Sequence, residues 1–457
     1  MNGQVLVGAA VGRITPELGR SMAGYASRQG PAASVLDDLH CRAVVLTDQR
    51  TTLVLVVLDL VSAPGALATA IARGIADDLG VDERAVLVSA THTHCGPSLD
   101  NGPGQEALFR SIVTASARCV REAYEERQEC QLHQTSFPVD ELVRNRRDPA
   151  TPVDGRGTAL VAVTAAGDVL ATIVSMACHA TVLEGDTCAY SADYPGALCA
   201  SLESLCGGVA VFLQGFAGDV NPVFTEHTPA EMCRFGRLAG ARAAAAVLAT
   251  LRTDQDSWTI NLSQDAAVAV PLPKAGIRID ATPLAVAWAD VEVEAKPRMG
   301  LAEAQHARAA AQERAERADT PEERRAATAI AQEMWIEALF ADLHLGLAVD
   351  VPPPGVSTLP VQVLAIGPNM WIVALPGEPL TEVGRPLRRE LGDTVILVGY
   401  AHRSACYLPP LGEFPHHGYE VGATRYAPGT AERLTDAAIG LVRRLAEADL
   451  GSGGRSE

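Results

Sequence analysis

The chain has 457 residues, of which 48% are hydrophobic and 20% charged, and this composition is typical of a globular protein with one large core or two closely packed cores. Its formal net charge of −18 argues against a nucleic-acid partner and against anionic membrane surfaces, because both attract basic patches. These properties favour a soluble protein that acts on a small molecule.

The expected compartment follows from the cysteines and from the N-terminus. Ten cysteines are too dilute for a disulfide scaffold, and none of them forms a CxxC pair. The first residues enter a strand-like run without the features of a leader peptide. No apolar run reaches the roughly 18 to 20 residues of a membrane span. We therefore expect a cytoplasmic protein with no stable membrane association, and a homo-oligomer is possible.

Apolar strand runs alternate with helical stretches along residues 1–250. This alternation predicts an α/β fold with a layered mixed β-sheet core flanked by helices. The pattern predicts strands near 53–60, 85–90, 159–164, 169–177 and 208–213, and helices near 64–79, 105–126, 195–205 and 229–251.

The segment 297–345 differs, because it is rich in Ala, Glu, Arg and Gln and is interrupted at Thr320-Pro321. It predicts an exposed helical hairpin inserted before the final unit. That unit has predicted strands near 360–366, 370–375 and 394–400 and a helix near 429–448. We expect one domain over residues 1–450 and a disordered tail over 451–457.

Polar residues follow the predicted strand at 85–90, where His92 and His94 precede the loop signal Gly96-Pro97. Side chains two residues apart on an extended chain point to the same side. Two imidazoles at a strand end can supply nitrogen ligands to zinc. Two histidines that form ordinary hydrogen bonds in a strand-to-loop corner would give the same pattern.

Two later strands end in the same way. Cys178-His179 closes the apolar run 170–177, and Glu378 follows the buried run Trp371 to Leu375. A carboxylate at the end of such a run needs a partner, because an isolated buried charge is costly. A metal ion would be a suitable partner.

The segment after the strand near 208–213 combines glycines with polar residues, which allows the backbone to approach a ligand closely. We predict substrate contacts from Gly218, Asp219 and Asn221, although an ordinary tight turn would give the same sequence. Arg146 lies in a loop, where an arginine can bind a carboxylate or stabilise an oxyanion, or can simply be solvated.

Seven motifs occur in the order seen in the neutral/alkaline non-lysosomal ceramidases. The chain resembles the N-terminal catalytic domain of that family over almost its whole length, and no single motif decides the resemblance. The motifs are THTHCGP at 91–97, NRR at 145–147, CHA at 178–180, SADYPG at 191–196, FLQGFAGDVNP at 212–222, LPGE at 375–378 and the tyrosine-rich stretch 400–426.

The resemblance implies one Zn²⁺ per chain, held by two histidines, a glutamate and a tyrosine. It also implies three catalytic residues beside the metal. The implied ligands are His92, His179, Glu378 and Tyr407, and the implied catalytic residues are His94, Arg146 and Tyr419. Tyr400 is a rival to Tyr407, although it closes a strand and is better suited to the core. The same ligand types would also suit manganese or iron.

The chain departs from the ceramidase pattern at Asn221, where the ceramidases carry a serine. Asparagine cannot act as an acyl nucleophile, so the sequence does not support a covalent serine mechanism at this position. We also expect no C-terminal immunoglobulin-like domain. The low aromatic content of 4% and the acidic charge argue against a long-chain sphingolipid substrate.

The first functional hypothesis is a zinc-dependent amidohydrolase that cleaves a linear N-acyl amide of a soluble small molecule. Zinc would generate a hydroxide nucleophile at neutral pH, while His94, Arg146 and Tyr419 would stabilise the oxyanion. His94 would also return a proton to the leaving amine. The alternatives are an ester or lactone hydrolase, an acyl-transferring or cyclising enzyme on the same metal site, and a non-catalytic binding protein.

Overall fold

The structure, a computed structural model, describes residues 5–99, 104–251, 257–263, 266–271, 276–341, 350 and 352–452. The elements of the first half are β1 Val5–Arg13, β2 Ser34–Val35, β3 His40–Thr47, β4 Thr52–Leu58, α1 Gly65–Leu79, β5 Val86–Ala90, α2 Gln105–Glu125, β6 Gln128–Pro138, β7 Val143–Asn145, β8 Arg156–Thr164, β9 Val169–Met176, β10 Ala189–Tyr190, α3 Asp193–Cys206, β11 Val209–Gln214, β12 Val220–Pro222 and α4 Pro229–Thr250. A short 3₁₀ helix, Glu83–Ala85, precedes β5.

The second half begins with the hairpin strands β13 and β14 and ends in a long helix. Its elements are β13 Ser257–Ser263, β14 Ala266–Pro271, β15 Ile277–Ile279, β16 Leu284–Glu294, α5 Leu301–Glu316, α6 Pro321–Ala341, β17 Val356–Ile366, β18 Trp371–Ala374, β19 Glu378–Pro379, α7 Thr381–Leu391, β20 Ile396–Val398, β21 Tyr407–Leu408, α8 Tyr419–Ala423 and α9 Thr430–Ser452. A 3₁₀ helix, Leu411–His416, precedes α8.

The larger sheet has the strand order β11-β9-β8-β6-β1-β3-β4-β5, and β15 pairs with β6. It is mixed, because β4 pairs in parallel with β5 and β9 with β11, whereas the pairs between them are antiparallel. The sequence of β4 is continuously apolar because both of its faces are buried. Val54 and Val56 join the core beneath the helices α1 to α4, and Leu53 and Leu55 join the core on the other face.

The smaller sheet, with the order β16-β17-β18-β20, covers that other face. Leu364 and Ile372 of this sheet pack in the same core as the larger sheet. Its outer side shares a further core with α7 and α9, to which Val373, Leu387 and Leu434 belong. The order of layers is therefore helices, sheet, sheet, helices. This arrangement confirms the predicted α/β fold with a layered mixed sheet flanked by helices.

Each predicted strand and helix of the first 250 residues is present, with ends that differ by a few residues. The sequence reasoning missed β3, β6 and β16. Strand β16 is rich in alanine and acidic residues, which have low intrinsic β propensity. It is a strand because it pairs with β17 along its whole length, from Leu284 with Ile366 to Glu294 with Val356.

The predicted hairpin is present, with its break at Thr320-Pro321, but the predicted exposure is wrong for the second half of α6. Ile336 is buried there, and so are Glu333 and Glu337. Lys296 Nζ lies 2.8 Å from Glu337 Oε1, so these acidic side chains face a partner rather than solvent. The predicted hairpin residues 342–345 lie outside the described residues. The predicted tail begins inside α9, and its residues 453–457 also lie outside them.

The two ends of the larger sheet approach each other. Gln214 ends β11 at one edge, and its side chain donates a hydrogen bond to the carbonyl of Thr91, just beyond β5 at the other edge. Strand twist accumulates across so many strands and allows the edges to meet. Over the described ranges, no helix is both long and apolar enough for a membrane crossing. The same ranges contain no separate immunoglobulin-like sandwich.

We predict that Gly422→Ala loosens α6 from α8. A Cβ atom at this position would lie 2.1 Å from Ile336 Cγ2 and 2.8 Å from the carbonyl oxygen of Glu333. Such overpacking typically costs about 1–3 kcal/mol. Thermal denaturation should show a lower Tm, and hydrogen exchange should accelerate within α6.

Gly440→Ala in α9 is the matched control, because a Cβ there meets no atom within 4 Å. This substitution should stabilise the helix by about 0.5–1 kcal/mol. Unchanged exchange protection of α6 in Gly422→Ala would contradict the predicted close contact.

Candidate metal centre

His92 lies just beyond β5, where the backbone turns sharply. Its φ is +67°, so the chain is not extended at this residue. The sequence argument that the side chains of His92 and His94 point to the same side of a strand was therefore wrong. His92 Nδ1 lies 2.6 Å from the carbonyl oxygen of Val61. A carbonyl only accepts, so Nδ1 carries the proton and Nε2 presents a lone pair.

His179 follows β9 and is fully buried. Its Nδ1 lies 2.7 Å from the carbonyl oxygen of Ala217, which fixes the same tautomer as in His92. Its backbone N–H donates to the carbonyl of Val220, so both the ring and the main chain are held by the segment after β11. Backbone carbonyls that orient imidazoles in this way are common behind metal sites.

Four further contacts bring the predicted ligands and His94 together. His94 Nε2 lies 3.1 Å from His92 Nε2. Glu378 Oε2 lies 3.4 Å from His92 Nε2 and 3.3 Å from His179 Nε2. The hydroxyl of Tyr407 lies 3.3 Å from His179 Nε2. The ring nitrogens of the three histidines alone lie within 4.8 Å of one another, close enough to share one ion.

The charges at this point fit a bound cation. Glu378 Oε2 is buried and has no hydrogen-bond partner among the described residues. Burial lowers the pKa of His179 to about 4, so this imidazole is neutral near pH 7 and cannot balance the charge of the carboxylate. The carboxylate needs a positive partner, and a divalent metal would supply one.

Arg146 lies beside the predicted ligands. Its Nη2 donates to the Tyr407 hydroxyl at 3.0 Å and its Nη1 lies 3.3 Å from His179 Nε2. Its Nε donates to Glu420 Oε1 at 2.8 Å. The buried Glu420 therefore balances the arginine charge and fixes the plane of the guanidinium.

Two tyrosines complete the surroundings. The ring of Tyr419 packs edge-on against Tyr407, with centroids 5.6 Å apart. Tyr400, the rival ligand, lies with its ring centroid 4.1 Å from that of His92. Its hydroxyl is buried and has no partner among the described residues. Its packing against His92 agrees with the core role favoured by the sequence, and the choice of Tyr407 as ligand stays a prediction.

The predicted substrate-binding residues lie behind the centre. Both carboxylate oxygens of Asp219 are occupied, one by the backbone and side chain of Thr381 and the other by Asn145. The N–H of Gly218 donates to the carbonyl of Pro379. These contacts show that both residues hold the chain around the ligands, and the substrate roles of Gly218, Asp219 and Asn221 stay a prediction. Asn221 is partly exposed, and its Oδ1 lies 3.5 Å from Arg146 Nη1.

Sequence reasoning missed three residues that support the site. Glu420 follows Tyr419 and gave no signal other than its charge. Asp59 is buried at the end of β4, where it accepts hydrogen bonds from Thr91 and from the backbone of His40. Tyr25 packs edge-on against His94, with centroids 4.9 Å apart. Of the three, only Asp59 has a sequence signal, because it is the polar residue that directly follows the apolar run 53–58.

A pocket of about 830 Å³ opens over the centre. Its floor includes His92, His94 and Glu378, and one wall is formed by the second half of α6. The residues of that wall are Trp335, Ile336, Leu339 and Phe340. The rest of the lining includes Met22, Tyr25 and five serines, Ser21, Ser27, Ser62, Ser98 and Ser404. The pocket has a volume suited to a small-molecule substrate.

The layered α/β fold and the buried imidazole, carboxylate and phenol groups form a domain with a histidine cluster able to bind a metal. The family model of the neutral/alkaline non-lysosomal ceramidases, N-terminal, matches residues 5–237. The chain belongs to this family, which implies a hydrolase acting on amide bonds.

Two solved structures share the fold. Neutral ceramidase from Pseudomonas aeruginosa is 20% identical with a TM-score of 0.72, covering 98% of this chain and 75% of that one. A ceramidase complexed with C2 is 19% identical with a TM-score of 0.70, covering 98% of this chain and 76% of that one. No curated protein matches the chain.

We predict that Asp59→Asn gains stability relative to the wild type as the pH rises. Burial raises the pKa of Asp59 to about 6, so the folded state keeps its proton to a higher pH than the unfolded chain. The contribution of protonated Asp59 to the free energy of unfolding is fully present below about pH 4 and is lost as the pH rises past about 6. Between these values the variant should gain about 1–3 kcal/mol relative to the wild type.

Urea denaturation at pH 4 and pH 7 would measure this difference. Asp38→Asn is the control of opposite sign, because hydrogen bonds from Thr15 and Arg13 lower the pKa of the exposed Asp38. A stability difference between wild type and Asp59→Asn that does not change with pH would contradict the protonation of this buried carboxyl.

Proposed function

We propose that the protein is a zinc-dependent amidohydrolase that cleaves a linear N-acyl amide, and that its substrate is a small molecule rather than ceramide. The observation that carries the proposal is the buried Glu378 Oε2, which has no hydrogen-bond partner among the described residues and lies 3.3–3.4 Å from two imidazole nitrogens. His92, His179, Glu378 and Tyr407 would hold the ion. The set of nitrogen and oxygen donors suits zinc.

When bound, zinc lowers the pKa of a water molecule and polarises an acyl carbonyl. The protein's own groups then move protons and position the substrate. His94 is a suitable proton carrier, because burial and the neighbouring histidines hold its pKa well below the usual range. The ring is therefore neutral near pH 7, so His94 can accept the proton that the attacking water gives up and return it to the leaving nitrogen. Its Nδ1 has no partner among the described residues.

Arg146 and Tyr419 are suited to stabilise the developing oxyanion. Two N–H groups of Arg146 point at His179 Nε2 and at the Tyr407 hydroxyl, which are two of the proposed metal-binding atoms. The guanidinium therefore lies beside the residues that would hold the ion, where it could donate to an oxyanion formed from the substrate. Each donor to such an oxyanion typically contributes about 3–4 kcal/mol.

The pocket supports an uncharged substrate. Its charged lining residues are Glu378, which belongs to the centre, and Arg28. The guanidinium of Arg28 is occupied by the carbonyls of Ala23 and His94, at 2.7 Å and 2.9 Å. The α6 wall would contact an apolar acyl group, and the serine hydroxyls of the pocket lining would contact a polar amine portion.

The first experiment is elemental analysis of the untagged protein together with His92→Ala and His179→Ala. We expect about one zinc per chain in the wild type and almost none in either variant, because each loses a nitrogen ligand. Amidase activity should be lost with the metal. Zinc and activity retained in both variants would exclude this ligand set, and a metal-free wild type would favour a non-catalytic binding protein.

Acyl amides, esters and lactones of matched chain length should be compared in the same assay. Preferential cleavage of amides supports the amidohydrolase. Preferential cleavage of esters or lactones, or acyl transfer to an added amine, would favour the alternatives on the same metal site. The cytoplasmic location and the homo-oligomer expected from the sequence stay predictions.

We predict that Glu420→Gln lowers kcat by about tenfold while zinc content stays at the wild-type level. The substitution removes the charge that balances and orients Arg146, but it leaves the proposed ligands in place. Glu413→Gln is the matched control, because Glu413 pairs with Arg147 at 2.8 Å and not with Arg146. Equal effects of the two variants on kcat would contradict a specific role for the pair of Arg146 and Glu420.

A further inference from the structure

Gln214 ends β11 and is fully buried, with a relative exposure of 0%. It lies between the two histidine-bearing segments, and it is neither a proposed ligand nor part of the pocket lining. A buried amide requires partners for its donors and its acceptor. The partners of the Gln214 amide indicate a structural role that is separate from the proposed ligands and catalytic residues.

The side chain of Gln214 contacts both histidine-bearing segments. Its Nε2 donates to the carbonyl oxygen of Thr91 at 3.1 Å and to that of Cys178 at 2.7 Å. Its Oε1 accepts from the backbone N–H of Cys178 at 3.2 Å. Thr91 directly precedes His92, and Cys178 directly precedes His179.

The backbone of Gln214 reaches a third segment. Its carbonyl accepts a hydrogen bond of 2.9 Å from the N–H of Gly399. Gly399 leads into the loop that carries Tyr400 and Tyr407. One residue thus connects the chain segments of three proposed ligands, which come from distant parts of the sequence.

We infer that Gln214 is a positioning residue that sets the separation of His92 and His179 for metal binding. This inference rests on the proposed function. Glutamine fits the position because it combines two donors with one acceptor, whereas glutamate has no donor and methionine has neither. Without the amide, two buried carbonyls lose a donor and the two segments can move apart. Residues behind metal ligands typically change metal affinity 10–100-fold when they are replaced.

Gln362 provides a matched control in the same molecule. It is also fully buried, its Nε2 donates to the carbonyl of Arg84 at 2.7 Å, and its Oε1 lies 3.0 Å from His402 Nε2. It lies in β17, and within the described part of the chain its side chain forms no hydrogen bond with the segments of His92 or His179. Replacing either glutamine removes a buried, hydrogen-bonded amide, but only Gln214 joins the metal-binding segments.

The experiment compares Gln214→Met and Gln362→Met with the wild type by competition for zinc against a chromogenic chelator. We expect about 10–100-fold weaker zinc binding for Gln214→Met and binding within about threefold of the wild type for Gln362→Met. Both variants should lower the Tm of the metal-free protein to a similar extent. Activity of Gln214→Met should recover as zinc is raised to saturation.

Wild-type zinc affinity in Gln214→Met, or an equal loss in both variants, would overturn the inference and leave the proposed function intact. A wild type that binds no zinc would overturn both. If Gln214→Met does not fold, Gln214→Glu keeps the acceptor for Cys178 and removes both donors. That variant should show the same loss of affinity, and wild-type affinity would again overturn the inference.

Discussion

The close approach of a glutamate oxygen to two imidazole nitrogens is the interaction on which the arrangement of this protein depends. Glu378 Oε2 lies 3.4 Å from His92 Nε2 and 3.3 Å from His179 Nε2, while the other nitrogen of each ring donates to a backbone carbonyl. Such a group of lone pairs is unfavourable unless a cation joins it. The surrounding structure must hold these atoms close together despite their mutual repulsion.

Strained backbone conformations lie at the same place. His92, Tyr400 and Cys406 all have positive φ values, of +67°, +57° and +55°, which are costly for residues other than glycine. Each is fixed by a backbone hydrogen bond to a neighbouring segment. The N–H of His92 donates to the carbonyl of Leu60, the N–H of Tyr400 donates to that of Gly377, and the carbonyl of Cys406 accepts from the N–H of Glu378. The two packed sheets determine these conformations, and the strain is a consequence of directing several chain segments at one point.

The sequence predicted the fold class and the polar residues at strand ends because both depend on local patterns, whereas Tyr407 was indicated only by the resemblance to the ceramidases. Buried strands give continuous apolar runs, and a polar residue that ends such a run is easily noticed, as with His179 and Glu378. What the sequence did not predict depended on contacts between distant segments. The turn at His92 and the partners of Asp219 follow from tertiary packing, which no local period encodes.

The helix α6 shows the same limit most clearly, and it relates the site to the substrate. Its glutamates gave it the sequence of a solvated helix, yet Glu333 lies 2.7 Å from His417 Nδ1 and Glu337 lies 2.8 Å from Lys296 Nζ. These contacts hold α6 against the region of α8, because Lys296 Nζ also donates to the carbonyl of Val421. The neighbouring apolar residues of α6 line the pocket. The rings of Trp335 and Tyr419 lie with centroids 6.1 Å apart, so the proposed acyl-binding wall and the proposed oxyanion donor belong to one packed unit.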